Sequence, residues 1–313
     1  MLKPISNPPN PFDSIHREFL EDPPLSALKI YEEEAKSILS KNDSPDLSFR
    51  WSLNAYRGCY HGCSYCYARP SHEYLGFGSG TDFETNIVVK KNAPQLLKKA
   101  FLSPRWKGEL VVFSGNTDCY QPLEASYGLT RKCLEVCLEF KNPVGLITKS
   151  FLIIEPQAAS VSRRLEVIQK LSEEGVTVGV SIAPIIPGLN DDNIPQILKA
   201  AKERGAQFAF YSLLRLPGNV EKVFLERIRQ FFPLRIQKIV HRIQESRNGK
   251  MYDPRFFKRH EGRGIYWKVI EDLFEIHVKK LGFNSKMDKV PSHTFRIPSS
   301  QIELPIISME FSR

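Results

Sequence analysis

The sequence lacks a long apolar run: its longest uncharged stretch of that kind, 176–189, is broken by prolines and too short for a membrane span. A helical membrane protein is therefore not expected. Met1 to Pro9 has no apolar segment of the kind an export signal requires, so secretion is not expected either. No repeat with the spacing of a solenoid is visible, which excludes an array of stacked units. Cysteine is sparse, six in 313 residues, and three of the six crowd into one stretch. That usage argues against a disulfide framework and for a metal site in a reducing compartment, so a cytoplasmic location is expected.

What is present is ordinary globular composition, 42% hydrophobic and 25% charged, enough for one large core or two modest ones. Lysine plus arginine number 44 against 35 acids, a formal charge of +9, which admits an anionic partner such as nucleic acid. Much of the surplus lies in 235–259 and 279–289, where cations alternate with Tyr252, Phe256 and Phe257. Such a stretch reads either as a surface that tracks phosphates or as a solvated face.

Four regions are expected. Residues 1–50 form a proline-rich arm with one short helix around 25–39, and 51–219 a domain of alternating strands and helices. Residues 220–283 form a helical, basic region, and 284–313 an extended tail. Strand-like runs occur at 51–56, 109–114, 144–148, 176–182 and 207–213. Helical periods fall at 93–102, 127–140, 162–174 and 194–204, with later helices near 223–232 and 266–281. The strands are short and β-branched without strict alternation, as in a parallel sheet covered on both faces. Alternation of strand and helix implies an α/β fold of right-handed βα units forming a partial (β/α) TIM-like barrel. In such barrels reactive groups follow the strand ends. The cysteines follow the first strand, Asn116-Thr117-Asp118 the second, Lys149 the third, and Ala183 the fourth.

Cys59-Tyr-His-Gly-Cys63-Ser-Tyr-Cys66 turns three thiolates within eight residues, a spacing suited to a [4Fe-4S] cluster with one iron left open. The competing reading is a zinc knuckle, with Cys59, His61 or His72 completing the pair Cys63 and Cys66. A structural zinc site usually brings two separated ligand pairs, and the second pair is missing here.

The CxxxCxxC spacing with Tyr65 before the last cysteine resembles the radical S-adenosylmethionine superfamily. Within it, Ser52 to Pro70, Gly80 to Glu84 and Gly249 to Arg255 are similar to the DNA repair photolyase-like group related to spore photoproduct lyase. The resemblance implies that Cys59, Cys63 and Cys66 bind the cluster and that S-adenosyl-L-methionine takes the open iron. It also implies reductive cleavage of that cofactor to a 5′-deoxyadenosyl radical, with a flavodoxin or ferredoxin as electron source. Tyr65 and Tyr67 would line the adenosyl pocket, Lys149 would meet the carboxylate, and Asn116, Thr117 and Asp118 would face the amino acid end. Ala183 would touch adenine through its backbone. Nucleic acid lesion repair or base modification is the implied activity. The rival readings are a radical enzyme acting on a peptide, RNA or metabolite, and an iron-sulfur protein without catalysis.

Two departures stand out. Gly115 occupies the position where the resemblance implies a hydrogen-donating cysteine. Cys119, four residues on, is either a substitute hydrogen donor in the catalytic step or a small buried side chain. Second, the stretch between Ile154 and Arg163 is too short for the helix and strand that relatives carry, so one strand-helix unit is expected to be missing. The apolar edges so exposed would need cover from a partner or the N-terminal arm. Cys133 and Cys137, four apart, read as core residues, and His72, Glu73, Glu84 and Glu124 as candidates for shaping a pocket or moving protons. Gln301-Ile-Glu-Leu-Pro305 resembles the peptide that binds the bacterial sliding clamp, although Pro305 stands where an aromatic is wanted.

Overall fold

A computed structural model describes residues 7–13, 27–148, 160–284 and 294–298. The clamp-like peptide at 301–305 lies outside the described residues, as do Lys149 and most of the shortened connection. The first elements are β1 (Lys29–Glu33), β2 (Leu39–Lys41), β3 (Trp51–Leu53) and β4 (Tyr56–Arg57). A 3-10 stretch, Arg69–Leu75, leads to α1 (Thr81–Thr85), β5 (Asn86–Lys90), α2 (Ala93–Phe101) and β6 (Val111–Phe113). Then come α3 (Glu124–Tyr127), α4 (Leu129–Glu139), β7 (Val144–Leu146), α5 (Val161–Glu173) and β8 (Gly179–Ile185). The order closes with α6 (Ile194–Glu203), β9 (Phe208–Leu213), α7 (Val220–Phe231), α8 (Ile236–Glu245) and α9 (Gly264–Lys280).

The α/β class matches the expectation, but among the described residues the strands form three small sheets and no closed barrel. One sheet runs β1-β5-β4, the second β2-β3-β6-β7, and the third pairs β8 with β9. Within the second, β3, β6 and β7 are parallel, so Leu53, Phe113 and Leu146 lie in register and the chain leaves all three strands at one edge. Among the described residues β7 and β8 belong to different sheets, and residues 149–159 between them lie outside the described residues. Val144, Leu146 and Ile147, in or just after β7, are each more than a third exposed, so apolar surface is left open at that edge among the described residues.

The expected helix at 25–39 is not formed; β1 and β2 stand in its place. Its residues favour a helix locally, but pairing β1 parallel to the wholly buried β5 gives Lys29 to Glu33 a ladder instead, a tertiary gain that overrides propensity. The helices follow their sequence signals more closely. In α2 a proline opens the first turn, and Leu97 and Phe101, four apart, are buried on one face. In α4 Cys133 and Cys137 are buried, likewise four apart. Ser160 caps α5 by accepting a hydrogen bond from the Arg163 amide at 3.3 Å.

Two apolar cores result. The first joins α2, α4 and the strands β3, β5 and β6 through Leu97, Phe101, Val111, Phe113 and Phe140, with Cys133 and Cys137 inside it. The second gathers β8, β9 and α6 to α9 around Ile185, Leu198, Phe224, Ile239 and Trp267. Ala55 and Tyr56 belong to the first core, whereas Cys59, Cys63, Tyr65 and Cys66 pack in the second. The cysteine loop therefore passes from one core to the other. No helix among the described residues is long and apolar enough to cross a membrane.

Candidate functional site

The cysteine loop begins at Gly58, whose φ of +75° suits glycine. A Cβ here would stand 2.9 Å from the Asn86 carbonyl oxygen and 3.0 Å from the His72 and Ile87 side chains, so the turn into Cys59 has no room for one. The Cys59 amide then donates to the Phe83 carbonyl at 2.9 Å, and the Cys66 amide to the Cys63 carbonyl at 3.2 Å. All three thiols are buried and none is in a disulfide.

Sequence reasoning missed the residue that holds this loop in shape. Arg69 is wholly buried, and its guanidinium donates to the carbonyls of Cys63 (3.0 Å), Gly62 (3.2 Å), Ser79 (2.9 Å) and Gly80 (2.9 Å). It also pairs with Glu84, which Arg227 approaches at 3.5 Å. A planar fork of donors suits this bridging, which an ammonium group would not reproduce. The only sequence signal was an arginine next to a proline three residues beyond the last cysteine.

The polar turn after β6 comes against the loop from the other side. Asn54, just past β3, accepts from the Asn116 and Thr117 amides through Oδ1 at 2.9 and 3.0 Å, and Lys90 Nζ donates to the Asn54 carbonyl at 3.1 Å. Burial, and then the nearby Arg57 cation, lowers the Lys90 pKa to about 8. Thr148, just past β7, donates to both Asp118 oxygens at 3.0 and 3.1 Å. Three parallel strands thus deliver their following residues to one turn. Tyr67 Oη donates to the Gly115 carbonyl at 2.7 Å, Asn116 Nδ2 to Ser71 Oγ at 3.0 Å, and the Tyr60 amide to Gln121 Oε1 at 3.1 Å. His61 lies 3.6 Å from Asp118, both buried. Burial opposes a charge on His61, but the partners Asp118 and Cys59 outweigh it and raise the imidazole pKa to about 10.

The structure brings Cys59, Cys63, Cys66, Tyr65, Tyr67, Asn116, Thr117 and Asp118 into one region. Ala183 sits exposed on β8, in a different sheet, and Lys149 lies outside the described residues. The Cys119 side chain packs in the first core with Leu123, Leu129 and Cys133, whereas the three loop cysteines pack in the second. Burial pushes its pKa up to about 12, so it is a thiol at neutral pH. Glu73 accepts from Asn219 at 2.7 Å, and Glu124 accepts the Tyr56 hydroxyl and the Thr130 and Arg131 amides at the start of α4. His72, stacked on Phe77, has its pKa lowered to about 4 by burial. These contacts, with the pairing of Glu84, give His72, Glu73, Glu84 and Glu124 structural roles.

Among the described residues, no three His, Cys, Asp or Glu side chains converge closely enough to hold a single metal ion, as a zinc knuckle would require. A cubane makes a different demand, because each cysteine takes its own iron and the thiolates stay apart. The surroundings fit such a group and a polar ligand beside it. Ser64 Oγ, Thr117 Oγ1 and Gln121 Nε2 are buried without a hydrogen-bond partner among the described residues, a cost normally met by a ligand or water.

An α/β fold with a buried cysteine loop at the strand exits defines the class. The chain has the fold of spore photoproduct lyase. One solved structure of that enzyme, with a dinucleoside spore photoproduct, gives a TM-score of 0.56 at 16% identity and covers 81% of this chain and 80% of its own. A mutant of the enzyme with bound AdoMet and the dinucleoside product gives 0.54 at 14% identity, over 82% and 80%. Uncharacterised proteins of Mycobacterium bovis and Mycobacterium tuberculosis are 29% identical over 270 residues, 75% of this chain and 78% of theirs. A Methanocaldococcus jannaschii protein, also uncharacterised, is 27% identical over 232 residues, 64% and 84% respectively. No family model matches the chain.

Proposed function

We infer that this protein is a radical S-adenosylmethionine enzyme in which Cys59, Cys63 and Cys66 hold a [4Fe-4S] cluster. The observation that carries the reading is the CxxxCxxC loop, with three buried thiols outside any disulfide, leaving a strand edge where a polar turn meets it. When bound, the cluster supplies one electron to S-adenosylmethionine and so generates a 5′-deoxyadenosyl radical.

The chain's own residues supply orientation and exclusion of water. Arg69 fixes the carbonyls of Gly62 and Cys63, so the loop keeps one shape whether or not it is loaded. Asn54 and Thr148 hold Asn116, Thr117 and Asp118 in place to receive the amino acid end of the cofactor. Lys149, one residue beyond Thr148, meets its carboxylate. Tyr65 and Tyr67 line the adenosyl pocket, and Ala183 offers backbone contacts to adenine. Cys119 retains an S–H hydrogen and serves as donor to a substrate radical.

A partial (β/α) barrel is the architecture we propose for these βα units, supported by the parallel pairing of β3, β6 and β7 and of β8 with β9. The substrate we propose is a nucleic acid lesion or modified base, supported by the formal charge of +9 and by the shared fold. A base within a duplex would have to be extruded to meet the radical. The electron comes from a flavodoxin- or ferredoxin-type reductant.

Anaerobic reconstitution with iron and sulfide, then reduction with S-adenosylmethionine present, tests the chemistry. The wild-type protein is expected to release 5′-deoxyadenosine, and the Cys59→Ala/Cys63→Ala/Cys66→Ala variant to hold neither iron nor activity. A variant with undiminished iron would sink the assignment. Comparing damaged with undamaged oligonucleotides as triggers of cofactor cleavage tests the substrate class.

A further inference from the structure

A polar cavity lies outside the cysteine site, where α8 ends and α9 begins. Its volume is about 100 Å³, and Arg247, Lys250, Arg255, Lys258 and Arg263 line it together with two acids, Asp253 and Glu261. Asp253 is already committed to Arg255 at 2.6 Å, and that cation holds its carboxyl well below the usual carboxylate range. Lys250, Lys258 and Arg263, all exposed, form no ion pair among the described residues. Five cations around so small a space repel one another unless an anion enters.

The floor of the cavity is built for permanence. Arg247, only 6% exposed, donates to the carbonyls of Lys258 (2.9 Å), Leu214 (2.9 Å) and Arg259 (2.8 Å), while its Nε has no hydrogen-bond partner among the described residues. Beside it the 17-residue α9 starts at Gly264 without a side-chain cap and without an acid in its first turn, so the positive end of its dipole is uncompensated. The space suits one tetrahedral oxyanion and is well below the roughly 300 Å³ at which sites for whole small molecules begin.

We propose that this cavity takes a phosphate group and that the group belongs to the backbone of a nucleic acid strand. Phe256 and Phe257 stand half exposed next to it, with Arg259 stacked 4.9 Å from the Phe256 ring. Aromatic faces interleaved with cations suit stacked bases, for which a free phosphate or a small phosphate ester has no use. The Leu214 carbonyl that Arg247 holds is one residue from Arg215, whose guanidinium lies 4.8 Å over Tyr67, next to Cys66. Leu214 and Arg215 thus link the cavity wall to the cysteine loop. The choice of a strand rests on the nucleic acid reading above; the phosphate contact itself needs neither cluster nor S-adenosylmethionine.

The test uses the full-length, anaerobically reconstituted protein without reductant or S-adenosylmethionine, so a failure of radical chemistry leaves its outcome untouched. Fluorescence anisotropy with labelled oligothymidine across a salt series compares wild type with Lys250→Glu/Lys258→Glu, both changes lying on the surface. The variant should bind at least about tenfold more weakly at low salt, with its slope of log affinity against log salt reduced by roughly 0.7 for each lost contact. Phe256→Ala/Phe257→Ala should weaken binding and leave the slope unchanged. Inorganic phosphate should broaden in ³¹P spectra with wild type and stay sharp with the charge-reversed variant. Equal affinity and slope for wild type and the charge-reversed variant overturn the proposal. Phosphate binding without oligonucleotide binding overturns the strand as its source.

Discussion

Replacing Arg69 with methionine keeps much of the side-chain volume and removes every donor. Four carbonyls, those of Gly62, Cys63, Ser79 and Gly80, lose their partner in a site closed to water, each at a cost of about 1 kcal/mol. Glu84 loses its nearer cation, and removing one member of a buried pair costs roughly 3–5 kcal/mol. Arg227, 3.5 Å from the same carboxylate, remains and keeps that part near the lower bound. The total is roughly 7 kcal/mol, against a reserve of about 5–15 kcal/mol for a typical fold. Arg69→Met should therefore show a much lower urea midpoint and little iron after reconstitution. Arg69→Lys, which retains charge without the fork, should fall between it and wild type. In Arg69→Met/Glu84→Gln the second change should add little, because both act on one network. An Arg69→Met protein with wild-type midpoint and iron content would refute the reasoning.

Gly58→Ala places a methyl against the Asn86 carbonyl and should lower iron retention and thermal stability together; unchanged melting would show that the turn can relax. The buried His72 stays neutral with a pKa near 4, so its stabilisation is complete above the ordinary histidine value and is lost as pH falls from about 6.5 to about 4, on the order of 3 kcal/mol. Urea titrations across that range should show a flatter decline for His72→Phe, and parallel curves would argue against the assignment. Cys119→Ala should leave 5′-deoxyadenosine formation intact and alter product formation from a lesion; an unaltered product would reduce Cys119 to a core residue. Asp46→Asn should cost about 3 kcal/mol or more by stranding the buried Arg259, which donates from Nε to Asp46 Oδ2 at 2.7 Å, as read by chemical denaturation.

The strands from β3 onward, β5 excepted, were legible because short β-branched runs alternate with amphipathic helices, and the cysteine loop because three thiols in eight residues leave few readings. Tertiary pairing hid the rest. β1 reads as helix until β5 is there to receive it, and α8 sits in a basic stretch whose buried Ile239 and Ile243 are outnumbered by cations. The bracing residues were hidden for a related reason. Asn54 and Lys90 act through backbone groups far away in sequence, Arg69 through carbonyls in loops on either side of it, and no local pattern marks a side chain for that work. The division into sheets is equally silent, since whether β7 and β8 share a sheet among the described residues is a matter of which edges meet.

The cysteine loop leaves one apolar core and plants its sulfurs in the other. A rigid inorganic group anchored at those sulfurs would act as a rivet between the two halves of the molecule, so loading should raise the cooperativity of unfolding as well as its midpoint. Oxygen damage to the centre would then loosen the protein as a whole, and resistance to proteolysis would report the state of the metal site.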